Sequence, residues 1–316
     1  MARSNLTLAA LATAAVAGLD LAQAASFGAR GDNDFDSALL TGRDGRHWII
    51  RVPRNEAAEA QQSADLVALR ALSGGIRARL PFGVSSYVGQ VPVDGTRGIV
   101  YEFVYGEKAH LDDLQAGSDG LAAAIGRAIA AIHSLPTSFV ADAGLPVLTP
   151  IESMRSAVSI MDRAAATGLV PSQLLGRWER ATEDTALWQF QPTVVNNTLS
   201  ADSFLVQGDA VTGLLGWHEL RVADPARDLC WLLAASDTDA SEAAIDAYHA
   251  ARGSIDRQVG PRATLYAELE VAKWLLHGTQ VRSSEIVDDA VGMLSAIVDD
   301  VENDVMAPLS HRDLSA

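Results

Sequence analysis

Two short runs of β-branched and aromatic residues, Trp48-Ile49-Ile50-Arg51-Val52 and Gly98-Ile99-Val100-Tyr101-Glu102-Phe103, are bounded by turn residues and predict strands. Asp44-Gly45, just ahead of the first run, predicts a hairpin. Between the runs the period changes: Leu66, Leu69 and Leu72 recur at helical spacing over 56–72. The first hundred residues therefore read as hairpin, helix, then further strands. After Gly106 the helical period takes over. Leu121, Ile125, Ile129 and Ile132 trace one face behind the N-cap candidates Ser118-Asp119. A long C-terminal stripe runs from Ile286 to Val301, with Asp288, Asp289, Asp299 and Asp300 as its solvated face. One β-like insert interrupts this half: Thr193-Val194-Val195, Phe204-Leu205-Val206 and Val211 to Leu215, the last two joined at Gly208-Asp209.

The pattern predicts an α+β chain: a small α/β lobe over 1–105 and a larger, mainly helical lobe over 106–316 that carries a β-hairpin insert. That is the layout of protein-kinase-like folds. The 316 residues suffice for a sizeable core. A formal net charge of −16 repels phosphate backbones and argues against a nucleic-acid partner. No stretch reaches the roughly 18 apolar residues of a membrane span, so no membrane partner is expected. The apolar run from Leu6 to Gly18, after Arg3 and before Ala22-Gln23-Ala24, has some features of a secretory leader. A single side-chain charge before it, and Asp20 beyond it, favour a short amphipathic helix with Leu8, Leu11 and Ala15 on one face. A cytoplasmic location is expected. The lone cysteine, Cys230, is flanked by Leu229, Trp231, Leu232 and Leu233 and reads as a core residue.

The segment from 188 to 233 carries the most specific signal. Pro192-Thr193-Val194-Val195, Phe204-Leu205-Val206, Val211-Thr212-Gly213, Trp217 and Asp224-Pro225-Ala226-Arg227-Asp228-Leu229 follow one another in an order and spacing that resembles the aminoglycoside phosphotransferase and choline kinase-like family of actinobacterial type. Ile132-His133-Ser134-Leu135-Pro136 and the segments 265–270 and 274–278 add to the resemblance. It implies phosphoryl transfer from ATP with Mg²⁺, which needs a carboxylate near the accepting hydroxyl and a metal clamp on the phosphates.

Carried over position by position, the family's His-Gly-Asp falls on Asn196-Asn197-Thr198, so Thr198 stands where the catalytic Asp belongs. A threonine hydroxyl is no base near neutral pH. The metal-binding Asn falls on Ser203 and the metal-binding Asp on Gly216, before Trp217. Asp202 is the nearest substitute ligand, and His218-Glu219 read as a surface turn. Arg51 takes the place of the phosphate-contacting lysine. Asp65, one methylene short, stands where a helix glutamate would pair with it. Segment 102–104, with Glu102 and Val104 at its ends, would meet adenine through its backbone. Gly28-Ala29-Arg30-Gly31 has the make-up of a phosphate-covering turn, but Asp32, Asp34 and Asp36 follow at once. Asp224 and Asp228 read as structural, the first capping a helix at Pro225 and the second holding the loop of Thr198. These readings point to a silent, kinase-like binding or regulatory module, with a small-molecule phosphotransferase acting on a hydroxyl through a rearranged site as the alternative. They name neither an acceptor nor a protein partner.

Overall fold

Ser4 opens the first helix, α1 (Asn5–Ala15), by accepting the Thr7 amide on its hydroxyl. In the computed structural model of the chain, which describes residues 2–28, 34–253, 256–303, 305–306 and 308–309, Leu8 and Ala12 of this helix are buried against Ala38, Leu40, Trp48, Ile50 and Val100. Strands β1 (Leu21–Ser26), β2 (Phe35–Gly42) and β3 (His47–Pro53) follow. The β2–β3 hairpin turns where Asp44 accepts the Arg46 amide and Gly45 adopts φ +80°, a conformation open to glycine at no steric cost. Asn55 caps α2 (Glu56–Ala71), and the short α3 (Gly74–Arg77) leads to β4 (Gly83–Val84), β5 (Tyr87–Val93), β6 (Thr96–Glu102) and β7 (Glu107–Lys108). Antiparallel pairing gives a five-stranded sheet in the order β1-β2-β3-β6-β5. Alternation along β3 sends Trp48, Ile50 and Val52 into the core beneath α1 and leaves His47, Ile49 and Arg51 on the opposite face.

The chain continues through α4 (Leu121–His133), α5 (Ser138–Asp142), α6 (Pro150–Ala165), α7 (Ser172–Glu183) and β8 (Thr193–Val195). The hairpin β9 (Phe204–Gln207) and β10 (Ala210–Leu214) comes next, then β11 (Arg221–Ala223), α8 (Thr238–Arg252), α9 (Val259–Val281) and α10 (Ser284–Glu302). Two compact units result: Met1–Ala109 with Asp202–Leu220, and His110–Ala201 with Arg221–Ala316. The hairpin insert thus groups with the first unit, whereas the sequence pattern places it in the helical lobe. Its strands complete a second sheet in the order β4-β10-β9-β7. A two-stranded ribbon alone is marginal, and pairing with β4 and β7 covers both of its edges. In the second unit, β8 pairs with β11. No helix among the described residues is long and apolar enough to cross a membrane.

Within the second unit, α4 and α8 meet at Gly126, where an added Cβ would lie 2.0 Å from the carbonyl oxygen of Ala244. Backbone cannot yield as a side-chain tip can. Gly126→Ala is expected to destabilise the protein by about 1–3 kcal/mol, read as a lowered urea midpoint; an unchanged midpoint would show that the two helices separate freely.

Candidate functional site

In the second unit, the loop that follows β8 is built on a buried carboxylate. Asp228, fully buried, accepts the Asn196 amide at 2.8 Å and the Asn197 amide at 2.6 Å. Its Oδ2 also lies 3.1 Å from Nε2 of His133, whose Nδ1 is 3.0 Å from the Tyr248 hydroxyl. His133 and Tyr248 are buried as well. Asn197 adopts φ +75°, the left-handed conformation that Asn tolerates better than most residues. The Asn196 side chain then accepts both the amide and the hydroxyl of Thr198, at 3.3 and 3.2 Å. Thr198 is exposed, and its hydroxyl is engaged as a donor to a neutral amide oxygen. Nothing in that bond would make it a base. The part of His133 in holding the loop is something the sequence reading missed; its only signal was the 132–136 segment ending α4.

Asp224 is the second buried carboxylate of this unit. It accepts from Arg262 Nε at 2.7 Å, from the Tyr266 hydroxyl at 3.1 Å and from the Ala226 amide at 2.9 Å. The helix expected at Pro225 is a single 3₁₀ turn, Pro225–Asp228. Cys230 is buried, and desolvation pushes its thiol up to about 12, which leaves it protonated and inert at neutral pH.

The first unit holds the remaining candidates. Arg51 lies in cation–π contact over the ring of Phe35, 3.8 Å from the centroid. Asp65 does not form an ion pair with it; instead its Oδ1 accepts the backbone amide of Trp217 at 2.7 Å. The bond joins α2 to the turn after β10. Burial raises the Asp65 carboxyl above its ordinary value, while the Trp217 amide, Arg51 and His218 pull it down. His218 is half-buried, not a free surface turn. Desolvation lowers its imidazole pKa, with Arg51 acting in the same direction and Asp65 against it. Sequence reasoning set His218 aside because only the tertiary bond between Asp65 and Trp217 brings it beside α2.

The positions at which the resemblance places Mg²⁺ ligands do not fit that ion. Gly216 offers no side chain and adopts φ +75°. Ser203 ends a 3₁₀ turn, Ala201–Ser203, and its carbonyl accepts the Leu215 amide at 2.9 Å. A hard dication favours several carboxylate or carbonyl oxygens, and these two positions supply no carboxylate. Asp202, the expected substitute, lies on that same 3₁₀ turn, so strand alternation does not set its direction; its side chain is 60% exposed and lies 3.5 Å from Lys108. Among the described residues no group of three or more His, Cys, Asp or Glu side chains could hold a metal ion.

Along segment 102–105, the Glu102 amide donates to Ser86 and the Phe103 amide to His47, while the Glu102 carboxylate pairs with Arg46 at 3.1 Å. Val104 packs its Cγ1 into the space above Gly83 and Gly213. Phe103 sits edge-on to Phe27 and Tyr105, with centroids 6.1 and 4.9 Å apart, and His47 Nδ1 is 2.8 Å from the Tyr105 hydroxyl. This aromatic group was not singled out from the sequence. The turn beginning at Gly28 lies, beyond that glycine, outside the described residues.

Asp65 yields a test of this electrostatic reading. Its folded-state pKa is raised, so the fold binds its proton more tightly than the unfolded chain does. Its stability contribution is complete below the unfolded value near 3.8 and is lost as pH rises towards the folded value. Asp65→Asn keeps an acceptor for the Trp217 amide and removes the buried charge. The variant should have a higher urea midpoint than wild type at neutral pH, and the gap should close in acid; an equal gap at every pH would refute the assignment.

The profile of the phosphotransferase enzyme family matches residues 28–266. The Bacillus subtilis (strain 168) protein YcbJ, described only as uncharacterized, is 24% identical over 271 residues, which cover 83% of this chain and 88% of the relative. The macrolide 2′-phosphotransferase MphH from Brachybacterium faecium superposes with a TM-score of 0.73 at 20% identity, covering 92% of this chain and 98% of that one. A type I macrolide 2′-phosphotransferase gives 0.72 at 24% identity, over 93% and 98%. The GDP complex of aminoglycoside 2′-phosphotransferase-IIIa gives 0.73 at 18% identity, over 95% and 100%. The mixed α+β architecture is the protein-kinase-like fold of these neighbours.

Proposed function

We propose that this chain, which belongs to the phosphotransferase enzyme family, is a catalytically silent member that acts as a binding or regulatory module. One observation carries the reading: Thr198, Ser203 and Gly216 occupy the three positions from which the resemblance draws the catalytic base and both metal ligands. The loop that would present the base is fully built, down to the Asp228 bonds, yet what it presents is a hydroxyl already donating to Asn196. A scaffold kept without its reacting groups suits binding better than turnover. The GDP complex of a structural neighbour and Arg51, whose contact among the described residues is the ring of Phe35, favour a phosphate-bearing ligand. The alternative, phosphorylation of a small-molecule hydroxyl at a relocated site, gains little from Asp202, which stands exposed beside Lys108.

The test is an assay of phosphate transfer from ATP by homogeneous protein, with and without Mg²⁺, against a panel of hydroxyl acceptors. Turnover that disappears in Asp202→Ala or Glu219→Ala would replace the silent reading with a relocated active site.

A further inference from the structure

In the second unit, α9 and α10 form a hairpin whose helices approach at Gly278. An added Cβ there would lie 2.8 Å from the Ile286 side chain and 3.0 Å from that of Val287. Trp274 and Val281 stand one helical turn to either side of this glycine, so they border the seam; they are 39% and 51% exposed. Trp274 is the exposed one of the chain's six tryptophans. Its ring is held in place: Nε1 donates to Asp289 at 2.9 Å, and one face stacks on His277. A fixed, partly open indole is the kind of side chain that anchors protein interfaces. On α10 the seam continues as the exposed stripe Glu285, Asp289, Met293, Ala296 and Asp300, spaced as one helical face. Helix α10 carries six carboxylates and no basic residue. Among the described residues none of the six is in an ion pair. Asp299, Asp300 and Glu302 stand in its last turn, where the helix dipole already presents partial negative charge. That placement costs α10 stability, and cations from outside the chain relieve it.

We propose that the seam of α9 and α10 docks a basic amphipathic helix of a partner protein. The apolar face of that helix packs on Trp274, Val281 and Met293, and the lysines or arginines on its flanks meet Glu285, Asp289 and Asp300. From Glu285 to Asp300 the stripe runs about 22 Å at 1.5 Å per residue, roughly four turns of partner helix. Charge selects this occupant. A second copy of the chain would set carboxylates against carboxylates, and anionic lipid headgroups would be repelled in the same way. The inference goes beyond the silent-module reading and does not depend on it, because no residue of the seam is assigned a part in phosphate transfer.

The experiment titrates the full chain into a fluorescein-labelled, capped peptide of about 16 residues, leucine and lysine only, with its leucines at helical spacing. Anisotropy reports binding. Two control peptides are used: the same composition shuffled to remove the apolar face, and glutamate in place of lysine. The first peptide is expected to bind, the shuffled one at least about tenfold more weakly, and the acidic one not at all. Met293→Ser and Asp300→Lys should each weaken binding about tenfold. Asp300→Lys should not lower the urea midpoint, because it relieves the last turn, so its lost binding is not lost folding. Should it nevertheless fail to fold, as judged by circular dichroism, Met293→Ser decides. Asp142→Lys, an equal change of charge on the exposed surface of α5, should bind as wild type does. The inference is overturned by no binding, by equal binding of the shuffled peptide, or by folded Met293→Ser and Asp300→Lys proteins that bind as wild type does. It is overturned as well if Asp142→Lys weakens binding as much as Asp300→Lys. A dimer in sedimentation that Met293→Ser dissociates would give the seam to a second copy instead. Phosphatidylserine–phosphatidylcholine vesicles that bind wild type and not Met293→Ser would give it to a lipid surface. Phosphate transfer, present or absent, leaves the docking inference standing, and its failure leaves the silent reading standing.

Discussion

Homogeneous protein supplied with ATP and Mg²⁺ is expected to transfer no phosphate above the uncatalysed background, whatever hydroxyl is offered. General-base assistance alone is commonly worth about 10²–10⁴ in rate, and Thr198 supplies no anionic oxygen for the acceptor proton. Stabilisation of charge at the phosphates is usually the larger share of catalysis, and Ser203 and Gly216 leave no carboxylate at either metal position. The losses compound, because an unclamped phosphate is also a misaligned one. Thr198→Asp by itself should therefore restore nothing, since a base without the metal acts on an unpolarised phosphate. Thermal shifts with ATP should be nearly equal in Mg²⁺ and in EDTA. A several-degree gain that appears only with Mg²⁺ would contradict the donor set described for the first unit.

Replacing Asp228 by alanine should have the largest effect on stability. The carboxylate is fully buried and takes three donors: two backbone amides of the loop after β8 and the His133 side chain. Each buried donor left unpaired costs roughly 1–3 kcal/mol, so a loss of about 3 kcal/mol or more is expected. Denaturant midpoints should fall with little change in slope, the signature of changed stability and not of changed compactness. Coinciding midpoints for wild type and variant would show that the loop does not depend on this carboxylate. On the silent reading proposed above, the variant should leave any phosphate transfer unchanged.

Most of the secondary structure was legible along the chain. The hairpin at Asp44-Gly45, the helices on the Leu66 and Ile125 stripes and the three small strands between 193 and 215 all form. They do so because a two-residue or a 3.6-residue period buries one face locally, whatever the rest of the chain does. The substitutions at 196–198, 203 and 216 were equally plain, since the chemical identity of a side chain needs no fold to be read. Three things required the tertiary structure. The hairpin 204–214 pairs with β4 and β7, strands distant in sequence, because sheet edges seek partners by register and not by proximity along the chain. His133 reaches Asp228 across 95 positions of sequence, a pairing that no local pattern announces. Asp65 meets Trp217 across 152, so a carboxylate expected beside Arg51 holds a backbone amide instead. Periodicity records which face of an element is buried; which polar groups then meet inside is set by distances that only the folded chain defines.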